Sequence, residues 1–177
     1  MSDTSGGGDA AAAAPQEQTE PPLSILHQYT KDLSFENPEA PGIFIEQGPA
    51  PEVNINVEIG VDPVRDRDHE VTLKVRAHAK TAEKTLFMAE LVYGGLIRIG
   101  PVPDEHVTPL LHVEAPRQLF PFARNIISEV TRDGGFPALM IGHVDFVELF
   151  RRRIEAARPP GDGTATGNGE SAPEAAS

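Results

Sequence analysis

Cysteine and tryptophan are absent from the 177 residues, and only 6% of the chain is aromatic. Without cysteine the protein cannot form disulfides, thiolate metal sites or a cysteine nucleophile. Its longest apolar run, residues 91–97, is interrupted by Gly94 and Gly95 and falls far short of the roughly 20 residues that a helix needs to cross a bilayer. We therefore expect no direct insertion into a membrane and a core that folds without cross-links.

Basic residues are missing from both ends of the chain. Residues 1–22 carry four acids and residues 159–177 carry three, whereas all 15 Lys and Arg lie within residues 23–158. Both ends are rich in Gly, Pro and Ala, a composition that cannot bury enough apolar area to offset the entropy of ordering. The sequence predicts a disordered acidic tail at residues 1–22, one folded domain at residues 23–158 and a disordered tail at residues 159–177.

The charge balance limits the partners and the location of the protein. The net charge is −12, and because seven of the 27 acids lie in the tails, the central domain carries 20 acids, 15 bases and a net charge of −5. No stripe of Lys or Arg is visible, which argues against nucleic acid as the main partner. The chain starts with Asp3 and Asp9 before an alanine run, without a basic segment, so no secretory signal is predicted and the cytoplasm is the expected location.

Alternation of apolar and polar residues with a period of two predicts four strands. The predicted strands span residues 25–36, 53–59, 71–79 and 85–99. In the first, Tyr29, Leu33 and Phe35 alternate with polar and acidic residues, so they are expected on one face. The fourth is apolar on both faces, and its Gly94-Gly95 pair predicts a bulge or a close approach of another backbone.

The remaining segments predict a loop, a turn and two helices. Residues 37–51 break the alternation and form a long crossover loop, and residues 62–68 form a turn. Leu119, Phe122 and Ile127 belong to a pattern of helical spacing and are expected on one stripe. The predicted helix has Pro121 in its first turn and ends at Gly134-Gly135. Asp145, three residues before Glu148, caps a last helix. Four strands followed by two helices predict an α+β fold with an antiparallel sheet.

Known catalytic motifs are absent from the sequence. Walker A, G-x-G-x-x-G, H-E-x-x-H and G-x-S-x-G do not occur, and the six His are scattered singly, as is typical of surface or hydrogen-bonded histidines. Residues 66–70 could offer oxygen and imidazole ligands to a cation but are interpreted as a solvated hairpin, and residues 151–153, three arginines, as a solvated helix face. We predict no catalytic residue, no metal and no cofactor.

Two features point to interactions. Asp32 and Glu36 are four residues apart on one strand, which places them about 13 Å apart on its polar side. The fourth strand is apolar on both faces, although only two helices are available to cover the sheet. Exposed apolar area favours association by about 25 cal/mol per Å², so the sequence predicts an oligomer, a binding surface, or both.

An ordered succession of sequence blocks over about residues 24–157 closely resembles the SecB family of bacterial protein-export chaperones. The blocks are YTKDLSFENP at residues 29–38, PEV at 51–53, Glu90 with Gly94-Gly95, LFPFAR at 119–124, GFP at 135–137 and VDF at 144–146. The resemblance implies a homotetramer, a dimer of dimers, whose subunits have a four-stranded antiparallel sheet, a long crossover loop and two C-terminal helices. It also implies a chaperone that holds precursor proteins unfolded without ATP and delivers them to SecA.

The resemblance assigns three groups of residues. Those implied to dock SecA are Asp32, Glu36, Met88 and Glu90. Those implied to line the client groove are Phe44, Val53, Ile55, Val57, Phe150 and Ile154, although Val53, Ile55 and Val57 are equally well explained as sheet core. Those implied to affect tetramer assembly and precursor handling are Phe87, Ala89, Leu91 and Tyr93.

Two other functions stay open from the sequence. One is a SecB-like chaperone dedicated to a single partner, such as an antitoxin. The other is a small enzyme that uses Asp32 or Glu36 as an acid or base near His27. The enzyme is disfavoured because no nucleophile or cofactor motif accompanies these residues and an exposed strand face shifts a carboxylate pKa little.

Overall fold

Four long antiparallel strands form the sheet that the alternating pattern predicts. The computed structural model describes residues 20–45 and 48–157, and in it the strands are β1 (Leu23–Glu36), β2 (Glu52–Arg65), β3 (Asp68–Lys80) and β4 (Thr85–Ile99). The sheet order is β1-β4-β3-β2, so β1 and β2 are its two edges. The connection from β1 to β2 therefore crosses from one edge to the other and includes a 3₁₀ turn at Gly42–Phe44. The α+β fold with an antiparallel sheet is confirmed.

The register divides the sheet into two faces. On one, which we call the helix face, β4 presents the buried residues Phe87, Ala89, Leu91, Tyr93, Ile97 and Ile99. On the other, the polar face, β4 presents Met88, Glu90 and Val92, and β3 presents the half-buried Lys74 and Arg76 opposite them. Each face thus has its own chemistry, as alternation along strands requires.

The prediction that Tyr29, Leu33 and Phe35 share a face is wrong. The pairing of β1 with β4 is interrupted twice, between Ile25 and His27 and between Thr30 and Asp32. At the second interruption Lys31 is an extra residue in a β-bulge. Since an extra residue reverses the alternation, Tyr29 lies opposite Gly94 on the polar face while Leu33 lies on the helix face.

The Gly94-Gly95 pair does not form a bulge in β4. It admits side chains instead of a backbone: a Cβ at Gly94 would lie 2.7 Å from the Tyr29 ring, and a Cβ at Gly95 would lie 2.8 Å from Leu119. Neither predicted alternative is found, because the pair makes room for a ring on one face and a leucine on the other.

The hairpin between β2 and β3 is tighter than predicted. β2 continues through Asp62 to Arg65 and β3 begins at Asp68, so the turn consists of Asp66 and Arg67. Asp66 adopts a φ of 39°, which aspartate tolerates better than most residues. The polar sequence of residues 62–65 was misleading because β2 is an edge strand, where Pro63 is tolerated and polar side chains meet solvent.

The helical chain starts earlier than the sequence predicts. A short helix α1 (Asp104–Pro109) leads through a π-helical segment (Leu110–Glu114) into α2 (Ala115–Asp133). Pro121 therefore lies inside α2 rather than in its first turn. A proline removes one backbone donor, and three prolines between residues 109 and 121 concealed a helix that tertiary packing stabilises.

α2 packs on β4, β3 and β1 and supplies the core with Leu119, Ala123 and Ile127, all fully buried. Phe122, which the spacing places on the same stripe, is instead 52% exposed and stacks on Tyr93 with ring centroids 6.4 Å apart. Phe120, two residues earlier, lies in the core and is 6% exposed. α2 ends at Gly134-Gly135, as predicted.

Residues 144–157 belong to a second compact unit, which we describe by itself. It contains α3 (Phe146–Ala157). The Asp145 carboxylate accepts hydrogen bonds from the backbone N–H groups of Val147 and Glu148, both at 3.0 Å, so the predicted cap is confirmed. Glu148 pairs with Arg151 and Arg152. Of the two predicted tails, residues 1–19 and 158–177 lie outside the described residues.

Candidate functional site

The four residues expected to dock SecA come together on the polar face. Glu36 lies directly opposite Met88 in the β1–β4 pair, and two positions along, Ser34 lies opposite Glu90. Asp32 follows opposite Val92. Asp32 and Glu36 are exposed and Met88 is 36% exposed. We call Asp32, Glu36, Met88 and Glu90 the acidic patch: three carboxylates around one exposed thioether.

An arginine that sequence reasoning missed borders this patch. Arg76 of β3 lies opposite Glu90. Its Nε is 3.2 Å from Glu90 Oε1 and its Nη1 is 2.9 Å from Glu58 Oε1 on β2. All three side chains are more than one third exposed, so these pairs contribute little stability, but they reduce the negative charge at the β3 side of the acidic patch.

A second network crosses the polar face beside Asp32. The Tyr29 hydroxyl donates to Glu70 Oε1 at 2.5 Å, and Lys31 Nζ donates to both oxygens of the same carboxylate at 3.0 and 2.7 Å. The Lys31 ammonium, followed by the Tyr29 hydroxyl, lowers the pKa of Glu70. The hydrogen bond to Glu70 raises the pKa of Tyr29 to about 12. Glu70 therefore ties the edge strand β1 to β3 across β4.

The polar turn interpreted as a solvated hairpin contains a buried charge. Asp68 is only 3% exposed. Its two oxygens accept hydrogen bonds from Arg98 at 2.7 and 2.8 Å, and Oδ2 accepts one from Arg65 at 3.2 Å. Arg98 lies opposite Asp68 on the neighbouring strand and lowers the pKa of this carboxyl to about 2. The prediction was wrong for Asp68 because its main partner is 30 residues away in the sequence.

The β2 residues expected to line a client groove share the helix face at the edge of the sheet. Val53 is 38% exposed, Ile55 is 41% exposed and Val57 is half-buried. Their β3 neighbours Ala79, Ala77 and Val75 are almost completely buried. The apolar surface of the helix face therefore continues onto β2, where it becomes accessible.

Phe44 of the crossover loop lies against an aromatic cluster that the sequence analysis did not single out. Its ring centroid is 5.5 Å from that of Phe136, which is 4.9 Å from that of Phe87 and 6.4 Å from that of Phe35. Phe44 itself is 52% exposed. The GFP block after α2 was the only sequence signal for Phe136, since neither the period of two of the strands nor the helical period of α2 extends to this residue.

Two glycines make room for these rings at the end of α2. A Cβ at Gly134 would lie 2.3 Å from the Phe35 ring, and a Cβ at Gly135 would lie 2.8 Å from the Phe44 ring. Gly135 also has a φ of 90°, a conformation that side chains disfavour. The helix terminus and the aromatic cluster thus require the same two residues.

An apolar cavity of about 570 Å³ lies next to this cluster. Phe44, Phe136 and Leu86 contribute to its lining, together with the end of the crossover loop and the turn between β3 and β4. Its volume and its mainly apolar lining are typical of ligand-binding pockets. Phe44 and the cluster are thus brought together, whereas Val53, Ile55 and Val57 do not line this cavity.

Phe150 and Ile154, the two other residues expected to contact clients, lie on α3. Phe150 is half-buried and Ile154 is 54% exposed, as is Val147 of the same helix at 53%. The helix therefore presents apolar side chains to solvent beside its arginine side chains.

The residues expected to affect assembly are buried within the fold of the single chain. Phe87, Ala89, Leu91 and Tyr93 are at most 7% exposed. They lie on the helix face, against α2 and the aromatic cluster. A substitution here would therefore change the packing of the sheet against α2.

The polar face does not assemble the histidine and carboxylates of the hypothetical enzyme. His27 lies opposite Leu96 and Asp32 opposite Val92, which separates them by about 13 Å along the strand. Within residues 20–45 and 48–157, no group of three or more metal-ligating side chains is found. In the same part of the chain, no helix is long and apolar enough to cross a membrane.

An α+β domain with a polar sheet face, an accessible apolar edge strand and an aromatic cluster that includes a ring of the crossover loop has the SecB-like fold. A solved SecB-like chaperone from Mycobacterium tuberculosis, in complex with a peptide from an antitoxin, superimposes with a TM-score of 0.57. The match covers 69% of this chain and 90% of that one at 14% sequence identity, and it shows the fold alone.

Closer relatives define the family. The family described as preprotein translocase subunit SecB matches residues 16–157. The protein-export protein SecB of Bradyrhizobium diazoefficiens is 49% identical over 86% of this chain and 92% of its own length. That of Rhizobium etli is 54% identical over 77% of this chain and 85% of its own length. The chain belongs to the SecB family.

Proposed function

We propose that this protein is an ATP-independent chaperone that holds unfolded precursor proteins in a translocation-competent state and delivers them to SecA for export. Membership of the SecB family supports the role in protein export. The observation that carries the proposal is the division of the sheet: accessible apolar side chains lie on the helix face, and the acidic patch lies on the polar face. A client and a motor can therefore engage the same subunit without competing for one surface.

The apolar side fits a client that has no fixed shape. Val53 and Ile55 are exposed on an edge strand, and Phe44 borders a cavity of about 570 Å³. Such surfaces contact apolar side chains of many sequences, and an extended client gains avidity when it spans several of them. The M. tuberculosis SecB-like chaperone was solved in complex with a peptide, which supports binding of a polypeptide segment by this fold.

The acidic patch fits a basic partner, and we assign it to SecA. Asp32, Glu36 and Glu90 supply three carboxylates beside the apolar Met88. Charges of one sign on a flat surface speed the encounter with an oppositely charged protein and make binding sensitive to salt. The affinity for SecA should therefore fall as ionic strength rises.

The proposal includes a cytoplasmic homotetramer, assembled as a dimer of dimers. Both edges of the sheet, β1 and β2, are 14 residues long, and Phe122 and Met140 are exposed apolar residues elsewhere on the same unit. Long edges and exposed apolar side chains favour association of subunits. Assembly brings several client surfaces into reach of one unfolded chain.

Holding activity is tested by light scattering. A secretory precursor diluted from denaturant should aggregate less when one tetramer per precursor is present, without added ATP. Ile55→Asn, which places an amide on the exposed apolar stripe of β2, should suppress aggregation less effectively, and Asn56→Asp on the other face serves as the control. Aggregation that is unchanged by the wild-type protein would contradict the proposal.

Docking is tested separately with a double substitution in the acidic patch. Asp32→Ala with Glu36→Ala should weaken SecA binding about tenfold or more, since two charges at a complementary surface are lost. Binding of an unfolded precursor should stay unchanged, because these side chains lie on the polar face. An equal loss of both activities would indicate general unfolding and not a docking defect.

A chaperone dedicated to one partner is the second candidate, favoured by the antitoxin peptide in the solved SecB-like structure. Competition between unrelated unfolded proteins separates the two functions. A general export chaperone exchanges one client for another at similar concentrations, whereas a dedicated chaperone refuses most of them.

A further inference from the structure

The position of Asp32 on the polar face depends on the bulge at Lys31. Thr30 lies opposite Tyr93 and Asp32 lies opposite Val92, so β1 uses three residues where β4 uses two. Without the extra residue, strict alternation would turn either Tyr29 or Asp32 toward the helix face. The bulge allows both side chains to lie on the polar face.

Three side chains are arranged to hold this bulge. Lys31 is the extra residue itself, and its Nζ is 2.7 Å from Glu70 Oε2. The Tyr29 hydroxyl donates to Glu70 Oε1 at 2.5 Å from the other side. The Glu70 side chain is only 17% exposed, so this carboxylate is better shielded from solvent than a typical surface ion pair. The network thus connects both Lys31 and Tyr29 to the same carboxylate of Glu70 on β3.

Gly94 lies on β4, the strand between β1 and β3, and makes room for the Tyr29 ring. The Tyr29 ring packs against Gly94, where an added Cβ would lie 2.7 Å from the ring. Tyr29 can therefore cross β4 and reach Glu70 because its opposite residue has no side chain. A bulge that is held by a carboxylate on one side and a ring on the other has little freedom to move along the strand.

We propose that Tyr29, Lys31 and Glu70 are positioning residues that lock the bulge of β1 and thereby hold the Asp32 carboxylate in the acidic patch. The inference rests on the proposed docking of SecA at that patch. None of the three residues needs to touch SecA. Loosening the lock lets β1 sample registers in which Asp32 turns away, and the fraction of docking-competent protein falls accordingly.

Tyr29→Phe is the most informative variant because it removes one hydroxyl and no charge. SecA binding, measured by calorimetry on the full-length protein, should weaken about fivefold, a coupling typical of communicating sites. Lys31→Ala should weaken it by a similar factor, and Lys31→Arg, which restores the cation, should recover most of the affinity. Binding of an unfolded precursor to the helix face should stay unchanged in all three variants.

A matched control distinguishes the effect of holding the bulge from the effect of the negative charge of Glu70. Glu70→Gln removes one negative charge and should weaken SecA binding as Tyr29→Phe does. Asp62 lies directly opposite Glu70 on β2, and Asp62→Asn removes the same charge from the same face without touching Tyr29 or Lys31. This control should change SecA affinity less than twofold.

Amide hydrogen exchange measures directly how firmly the bulge of β1 is held. In Tyr29→Phe, the amides of residues 30–33 should exchange faster than in the wild type, while those of β2 stay unchanged. SecA affinity and exchange that both stay at wild-type values would overturn the positioning role and leave the docking proposal intact. A wild-type protein that does not bind SecA would instead overturn docking at the acidic patch, and the positioning role with it.

Discussion

Carboxylates on the polar face differ in whether they can bind a partner, because some are exposed and others are buried against arginines. Asp32 and Glu36 are exposed and available to a partner, whereas Asp68 is buried and held by Arg98 and Arg65. The spacing in the sequence is sufficient to predict that Asp32 and Glu36 share a face. It does not reveal the role of Asp68, since the arginine that binds both of its oxygens lies on another strand.

The paired state of Asp68 predicts a pH dependence of stability. Its pKa is lowered from 3.8 to about 2, so the folded protein binds fewer protons at this group than the unfolded chain between those values. The stability that Asp68 contributes is therefore fully present above about pH 4 and is lost as the pH falls toward 2. The difference in unfolding free energy between the wild type and Asp68→Asn, measured with urea, should shrink over this interval. A difference that is independent of pH would contradict the assignment.

At the scale of elements, the sequence predicts strands better than helix starts. The first three strands are found near their predicted positions because a half-buried strand leaves a clear alternation of apolar and polar residues. The bulge at Lys31 escaped prediction because the alternation on each side of it is normal and only the register with β4 reveals the extra residue. The helical chain from Asp104 escaped because its prolines are tolerated only within the tertiary packing.

The end of α2 links helix termination to the apolar cavity. Gly135 has a φ of 90°, and a Cβ there would lie 2.8 Å from the Phe44 ring. Gly135→Ala should lower the unfolding free energy by about 1–3 kcal/mol, as expected for backbone strain, and should displace Phe44.

Urea unfolding measures this loss, and Gly142→Ala is the control, since a Cβ at Gly142 meets nothing within 4 Å. Equal effects of the two substitutions would show that Gly135 has no special role at the end of α2.

For the whole molecule, the proposed function depends on one property of the fold. Apolar side chains stay exposed on the helix face of the sheet, and carboxylates stay exposed on its polar face. The fold class and the membership of the acidic patch could be predicted from the sequence and its resemblance to SecB. The aromatic cluster around Phe136 could not, because its four rings come from β1, the crossover loop, β4 and the segment after α2. Contacts between such distant segments leave no local pattern.

Native mass spectrometry of the purified protein, alone and mixed with a permanently unfolded precursor, tests this account most directly. We expect a species of about four times 19.0 kDa that gains the mass of one precursor and keeps its four subunits. A single subunit of 19.0 kDa that binds no unfolded chain would contradict the account.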